Sequence, residues 1–594
     1  MIHVVRRLPF LALFFIAASI ATAQEQPLPR IDESIEVSLA NVDVVVTDKQ
    51  GNRVRGLTRD DFELLENGVS QPITNFADYA AESQEATVGV DAAPAIAAPA
   101  APATQPRMIV IFAESFVLAP FHARPYFNAL RESVRRMVRP GDSASIVMWA
   151  DAMIVRQEFT DDVKKLEAAL DRMEREGTGV PGNPAQSMRM REDLMKMFEG
   201  SLAIESFDQM NEANKPHWDA LDNARFQLFK IRQKTFALTS LMQRMSAHEG
   251  KKIVLLSSQR FGEHAGVEFF GGVVPGEYRA LLDTSRYRRM LTSTANAYGV
   301  TIYPVYVPGI ATTFWGSADT NLGADLPSSD FEVKRLAFDH NFLLNELRSL
   351  EEIARETGGM MQWSSKEVVS LLPKIAEDLE SYYSLGWRVN GRRTGAQKIV
   401  VRTKNPQYVV RARRELAIRT DEAKMEDRVI ANLYHRVPGT TIPIEAKLGR
   451  LQQTSSRRWT ATLQVRIPIK ALAVLDTEKG AGGTFQVYVA PGAVFGLVTD
   501  VQRRSQAFTV DVAQLERARK SHFTYEVQLK LDHLVDRIGV GVLDETSKEY
   551  GLITIRVPER KTRNVRATSR GMSGAERAEP EPGSEGWSER RRRP

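Results

Sequence analysis

Met108-Ile109-Val110-Ile111-Phe112, running on into Ala113-Glu114-Ser115-Phe116-Val117, is the stretch whose reading decides the fold. Five apolar residues in a row make a short strand buried on both faces, the habit of parallel sheets covered by helices. The period then changes. Across residues 121–138, Tyr126, Phe127, Leu130, Val134 and Met137 share one helical face. Pro140-Gly141-Asp142 turns the chain into strands at 144–150 and 153–159, and Thr160-Asp161-Asp162 caps a helix that reaches about Met173. The alternation continues with a long helical stretch at 188–248, a strand at 253–256 and a helix at 278–298. A strand at 300–307, a helix at 331–357, a strand at 360–363 and a helical segment at 366–379 interrupted or restarted at Pro373 complete it. The pattern predicts an α/β domain with a doubly wound, mostly parallel sheet.

The flanks have a period of two. Residues 34–80 read as a small β-rich unit: Ile35, Val37 and Leu39 alternate, then Val42, Val44 and Val46 after a phase shift at Ala40-Asn41 that predicts a bulge. Thr58-Arg59-Asp60-Asp61 resembles a capping box, and Asn67-Gly68 is a hairpin turn. Residues 84–106, rich in Ala and Pro, read as a linker. The α/β domain is assigned to 107–415, with strands at 398–402 and 408–411 finishing it and a helical insertion at about 186–249. A charged helix at 421–432 leads into a β-sandwich spanning 421–558. There Leu463, Val465, Ile467 and Ile469 alternate with polar residues, as do Phe523, Tyr525, Val527, Leu529 and Leu531. Gly480-Ala481-Gly482-Gly483 reads as a hairpin loop, and 559–594 as a disordered basic tail.

The chain has 594 residues, a formal charge of +5 and no cysteine, which excludes disulfides, thiolate metal sites and a cysteine nucleophile. Arg6 and Arg7, the apolar run from Leu8 to Ile20 and Ala21-Thr22-Ala23 read as a signal peptide over residues 1–23. The mature protein is therefore expected outside the cytoplasm, periplasmic or secreted, with no transmembrane helix after cleavage. The leader and the tail carry the excess positive charge, so the body between them is close to neutral. No nucleic-acid partner is expected, and Trp587 alone gives the tail no stacking platform. Arg590–Arg593 are suited at most to weak contact with an anionic envelope polymer.

Asn41 to Asp48, Gly56-Leu57-Thr58 with Asp61-Phe62, Glu66-Asn67-Gly68 and Gln71-Pro72-Ile73 together resemble the opening of bacterial von Willebrand factor A-related proteins of the acidobacterial type. Pro140-Gly141-Asp142, Phe159-Thr160-Asp161-Asp162 and Gly250-Lys251-Lys252-Ile253-Val254 resemble landmarks of that family's A domain, and Tyr382 to Trp387 its closing segment. The resemblance implies a Rossmann-like A domain, a fold that usually binds proteins. It also implies a place for Mg²⁺: D-x-S-x-S after the first strand, a loop threonine, and an aspartate after the fourth strand. Here Ala113 stands at the first aspartate, Ser115 at the first serine, Val117 at the second, Thr178 at the threonine and Ser258 at the last aspartate. With both aspartates missing the metal site is expected to be degenerate, because a hard cation needs carboxylate charge. Glu114 is the remaining acidic neighbour, one position off the expected ligand.

No H-E-x-x-H, phosphate loop or dinucleotide fingerprint occurs. Glu114, Ser115 and His122 lack the glycines of a nucleophile elbow. The expectation is therefore a non-enzymatic binding or scaffold protein without a cofactor. It would engage an unidentified extracytoplasmic protein through a rim containing Ser115, Phe116, Thr178, Ser258 and His264, with Met188, Met190, Met195 and Met197 in the insertion beside it. Three alternatives stay open: an Mg²⁺-dependent adhesion module with an atypical site, a hydrolase with an unrecognised site, and a self-associating structural component.

Overall fold

The computed structural model describes residues 37–79, 106–114, 120–150, 152–176, 210–248, 250–258, 261–270, 272–307, 329–361, 368–390, 395–435, 437, 439–477, 480–493 and 500–558. Residues 1–23, read as a signal peptide, nearly all of the segment read as a linker, Ser115 to Val117, Thr178, the four insertion methionines and residues 559–594 lie outside them.

The chain opens with β1 (Val37–Thr47), β2 (Phe62–Glu66), β3 (Val69–Gln71) and β4 (Asn75–Asp78). Asn67-Gly68 makes the two-residue β2–β3 turn with both φ angles positive, as a twisted hairpin requires. The Asp61 carboxylate accepts from the amide and hydroxyl of Thr58, so the capping box forms on a single 3-10 turn.

The α/β elements follow: β5 (Met108–Glu114), α1 (Pro120–Met137), β6 (Ser143–Trp149), β7 (Met153–Thr160), α2 (Val163–Glu176), α3 (Met210–Met245), β8 (Lys252–Ser258), α4 (Gly276–Leu282), α5 (Ser285–Tyr298), β9 (Val300–Tyr306), α6 (Ser329–Thr357) and α7 (Val368–Glu380). Their sheet has the order β7-β6-β5-β8-β9, parallel except for β7. Side chains of β5 alternate between two cores. Ile109, Ile111 and Ala113 pack with α1, α2 and α7, whereas Met108, Val110 and Phe112 pack with α3, α5 and α6. That two-sided burial is why the strand is apolar throughout. Two local expectations change. The helix at 278–298 is broken, because Asp283 caps Ser285 (2.6 and 3.1 Å) and the buried Thr284 hydroxyl donates to the Gly262 carbonyl (2.6 Å). The segment after α6 forms no strand at Met360-Met361, the part of 360–363 that is described. Helix α7 runs through Pro373.

The next four strands are β10 (Tyr383–Asn390), β11 (Gly395–Thr403), β12 (Val409–Ala412) and β13 (Glu415–Ile418). They do not extend the α/β sheet. β1 lies between β10 and β12, β4 pairs β10, and β2 pairs β11, giving sheets ordered β12-β1-β10-β4 and β13-β11-β2-β3. The N-terminal β unit is thus one half of a sandwich whose other half is the segment assigned by sequence to the end of the α/β domain. The α/β domain is inserted between the halves. The bulge expected at Ala40-Asn41 is absent: register runs unbroken from Val37↔Asn390 to Val44↔Tyr383, with Ala40 facing inward opposite Trp387.

After α8 (Asp421–Asn432) the chain forms a second sandwich from β14 (Glu445–Leu448), β15 (Gln452–Ser455), β16 (Arg458–Pro468), β17 (Leu475–Thr477), β18 (Gly480–Ala493), β19 (Gln502–Val510), β20 (His522–Asp532), β21 (Val535–Asp544) and β22 (Tyr550–Arg556). Leu463, Val465, Leu529 and Leu531 of one sheet close on Phe485, Val487, Val540 and Val542 of the other. The glycines 480, 482 and 483 are not a loop. They begin β18, where a Cβ at Gly483 would lie 2.5 Å from the Ala473 carbonyl oxygen, so only glycine lets the backbones approach.

Candidate functional site

In an open α/β sheet, ligands sit beyond the carboxyl ends of the strands, where the strand order reverses. Here that point lies between β5, which leads outward to β6, and β8, which leads the other way to β9. Glu114 is the last residue of β5 and Ser258 the last of β8. Of the sequence-expected positions, Ala113, Glu114 and Ser258 therefore fall at the switch point.

Three side chains meet there. The Ser258 hydroxyl donates to a carboxylate oxygen of Glu114 (2.7 Å). The Lys234 ammonium donates to the same oxygen (3.0 Å) and to the Ser258 hydroxyl oxygen (3.1 Å), and lies 4.9 Å from the centre of the Phe261 ring. Lys234 comes from α3, whose inward face also carries Ile231, Thr235 and Leu238. Its side chain is 2% exposed and that of Glu114 15%. Ser258 is fully buried.

The one-residue offset of Glu114 has a simple geometric meaning. Successive strand residues point to opposite faces. Ala113 faces the α1 side and is closed into that core, while Glu114 faces α3 and so reaches Ser258 and Lys234. Lysine is the functional residue that sequence reasoning missed. Its signal was present: position 234 follows Ile231 by three and precedes Leu238 by four, so it falls in the inward phase of the helix.

The loop after β8 is pinned by α6. Glu346 accepts from the Phe261 amide (2.7 Å), and Asn345 brackets His264, accepting from its amide (2.9 Å) and donating to its carbonyl (3.1 Å). Thr284 holds Gly262 and Glu263 from the other side. His264 is half-buried at this rim, and its backbone is what the scaffold holds. Ser115, Phe116, Val117 and Thr178 lie outside the described residues.

Mg²⁺ does not fit this arrangement. A divalent cation asks for about six oxygens with carboxylate charge among them, whereas the described side chains that meet at the pole are one carboxylate, one hydroxyl, an aromatic ring and an ammonium already in place. Among the described residues no group of three or more His, Asp or Glu side chains is spaced to hold a metal. No helix among them is long and apolar enough to cross a membrane.

No family model matches the sequence, and no curated protein does. Solved structures do match. The protein BatB from Bacteroides thetaiotaomicron aligns at 10% identity over 47% of this chain and 100% of its own, with a TM-score of 0.22. The manganese-loaded TRAP protein of Plasmodium vivax aligns at 9% identity over 68% of this chain and 94% of its own, with a TM-score of 0.19. Proximal thread matrix protein 1 from the mussel byssus aligns at 11% identity over 46% of this chain, with a TM-score of 0.21, and the chain spans about half of that protein, 48%. At such scores the likeness carries no argument. The order and direction of the five strands do, and they are those of an open, mostly parallel α/β sheet, the fold class expected from the sequence.

Proposed function

We propose that this chain is an extracytoplasmic, non-enzymatic binding protein related to bacterial von Willebrand factor A proteins. It engages a protein partner through the rim above β5 and β8, with the family's metal site lost. The observation that supports this reading is the linked set at the switch point. Glu114, Ser258 and Lys234 bond to one another, and the Ser258 hydroxyl is sealed from solvent. A nucleophile must meet its substrate and hold a base within reach. Ser258 has a carboxylate within reach, but its full burial keeps it from meeting a substrate. What the rim offers a partner is shape: a loop held at Phe261 and His264 by α6.

Ser258 is consequently a supporting residue beneath the rim, while Ser115, Phe116, Thr178 and His264 remain the proposed contacts. Capture of partners from native envelope fractions tests the reading. Ser115→Trp and His264→Trp should each abolish recovery of a protein that the unmodified chain retains. Equal recovery with both variants sinks the rim as the binding surface. The basic tail is assigned a secondary role at most, as a weak contact to anionic envelope polymer.

A further inference from the structure

We propose that the Lys234 ammonium is a tethered replacement for the divalent cation at the pole of the sheet, so that the rim keeps one state without any soluble ion. The inference deepens the rim reading and takes from it only the location; its test needs no partner.

The surroundings of the ammonium nitrogen distinguish the two kinds of cation. A hard divalent ion takes oxygen ligands all round and gains nothing from a benzene face. An ammonium on a four-carbon stem takes a few directed hydrogen bonds and is attracted to such a face. Around Lys234 Nζ stand the Glu114 carboxylate at 3.0 Å, the Ser258 hydroxyl at 3.1 Å and the Phe261 ring at 4.9 Å. The Ser258–Glu114 hydrogen bond of 2.7 Å closes the third side. The Lys234 ammonium meets the Glu114 carboxylate, the kind of pairing under which buried charges persist. Ser258 in the place of an aspartate fits the same account, because a second carboxylate there would leave a single ammonium facing two negative charges.

The tether also changes what the pole responds to. A soluble ion comes and goes with its concentration. An ammonium fixed to α3 has an effective concentration set by the fold and couples that helix to the ends of β5 and β8. The pole is therefore always filled, and chelators find nothing to remove.

The test uses the full chain and reads thermal unfolding. For the unmodified chain, chelator and millimolar Mg²⁺ or Mn²⁺ should leave the midpoint unchanged. Lys234→Ala, which empties the space of three methylenes and the ammonium, should lower the midpoint by about 5–10 °C. Millimolar propylammonium should restore at least half of that loss, and 1-propanol should not. Lys234→Met keeps the stem without the charge; it should be destabilised and unresponsive to propylammonium. Lys234→Met combined with Glu114→Gln should recover towards the unmodified midpoint, and this pair decides the matter if Lys234→Ala fails to accumulate. Stabilisation of the unmodified chain by Mg²⁺, full stability of Lys234→Met, or no recovery in the double variant would each overturn the proposal. Equal partner recovery by the unmodified chain, Ser115→Trp and His264→Trp, with these stability results intact, would overturn the rim reading alone.

Discussion

Arg411 donates two hydrogen bonds, 2.7 and 2.8 Å long, to the two carboxylate oxygens of Asp378, which has no exposed surface. Asp378 lies on α7, the last helix of the α/β domain, and Arg411 on β12 of the sandwich that surrounds it. Arg53, in the loop after β1, binds the same carboxylate, and the Tyr303 hydroxyl donates to it from β9 at 3.1 Å. Lys251, just before β8, donates to the Asp378 carbonyl and lies over the Tyr382 ring; burial pushes its ammonium down to about 8. The sandwich and the inserted domain thus meet at one buried carboxylate.

Removing that carboxylate leaves two guanidinium groups buried beside each other without their partner. Asp378→Ala should therefore cost about 3–5 kcal/mol, and Asp378→Asn only part of it, since an amide still accepts hydrogen bonds. Urea unfolding followed by circular dichroism checks this. Near-identical midpoints for Asp378→Ala and the unmodified chain would show that the clamp contributes nothing.

The shared sandwich gives a second expectation. Trp387 is fully buried, and its indole nitrogen donates to Glu66 at 3.3 Å across the gap between the two sheets. Trp387→Ala should destabilise by about 3–5 kcal/mol, as large cavities in closed cores do. A chain lacking residues 1–80 loses β1 to β4 and exposes Leu385 and Trp387. Limited proteolysis should then cut within residues 383–418, which are protected in the full chain. Continued protection would mean that the two halves fold independently.

These pairings were out of reach of sequence reasoning for a physical reason. Alternation in Val42, Val44 and Val46 says that a strand is half-buried, and nothing about which strand lies beside it. The partner of Glu66 stands 321 residues away in Trp387, beyond an entire inserted domain. The α/β core was legible because the parallel strands are largely apolar on both faces and their helices on one, properties local to the segment. The pole was legible as a place, through Ala113 and Ser258, yet not as a chemistry. That required recognising a lysine in the inward phase of a helix, where a long amphipathic stretch reads as charged outside and apolar inside. The glycines at 480–483 misled for the opposite reason: close backbone approach and a turn use the same residue.

Gly483→Ala tests that last point. The added methyl would meet the Ala473 carbonyl oxygen at 2.5 Å and the Phe508 ring at 3.2 Å, so backbone must shift. A loss of about 1–3 kcal/mol is expected. Differential scanning calorimetry should show it in the unfolding of the C-terminal sandwich, and an unchanged trace would return these glycines to an unconstrained loop.

A pH dependence should arise where α8 packs on the end of α3. Asp427 is buried, with Arg419 3.0 Å away and its other carboxylate oxygen, Oδ1, without a hydrogen-bond partner. Burial pushes its carboxyl up to about 7, outweighing the guanidinium and the Gln243 side chain, which act in the opposite sense. The sign follows from linkage. The folded state holds the proton more tightly than the unfolded chain, so stabilisation from this group is complete below about pH 4 and is lost as pH rises towards 7. Its size is on the order of a few kcal/mol at most. Asp427→Asn keeps a neutral group of the same shape, so the variant should be as stable as the unmodified chain near pH 5 and more stable at about pH 8. Urea midpoints across that range decide it. A slope unaffected by Asp427→Asn would place the titration elsewhere, and a variant weaker at every pH would show that the Arg419 ion pair outweighs the cost of burying the charge.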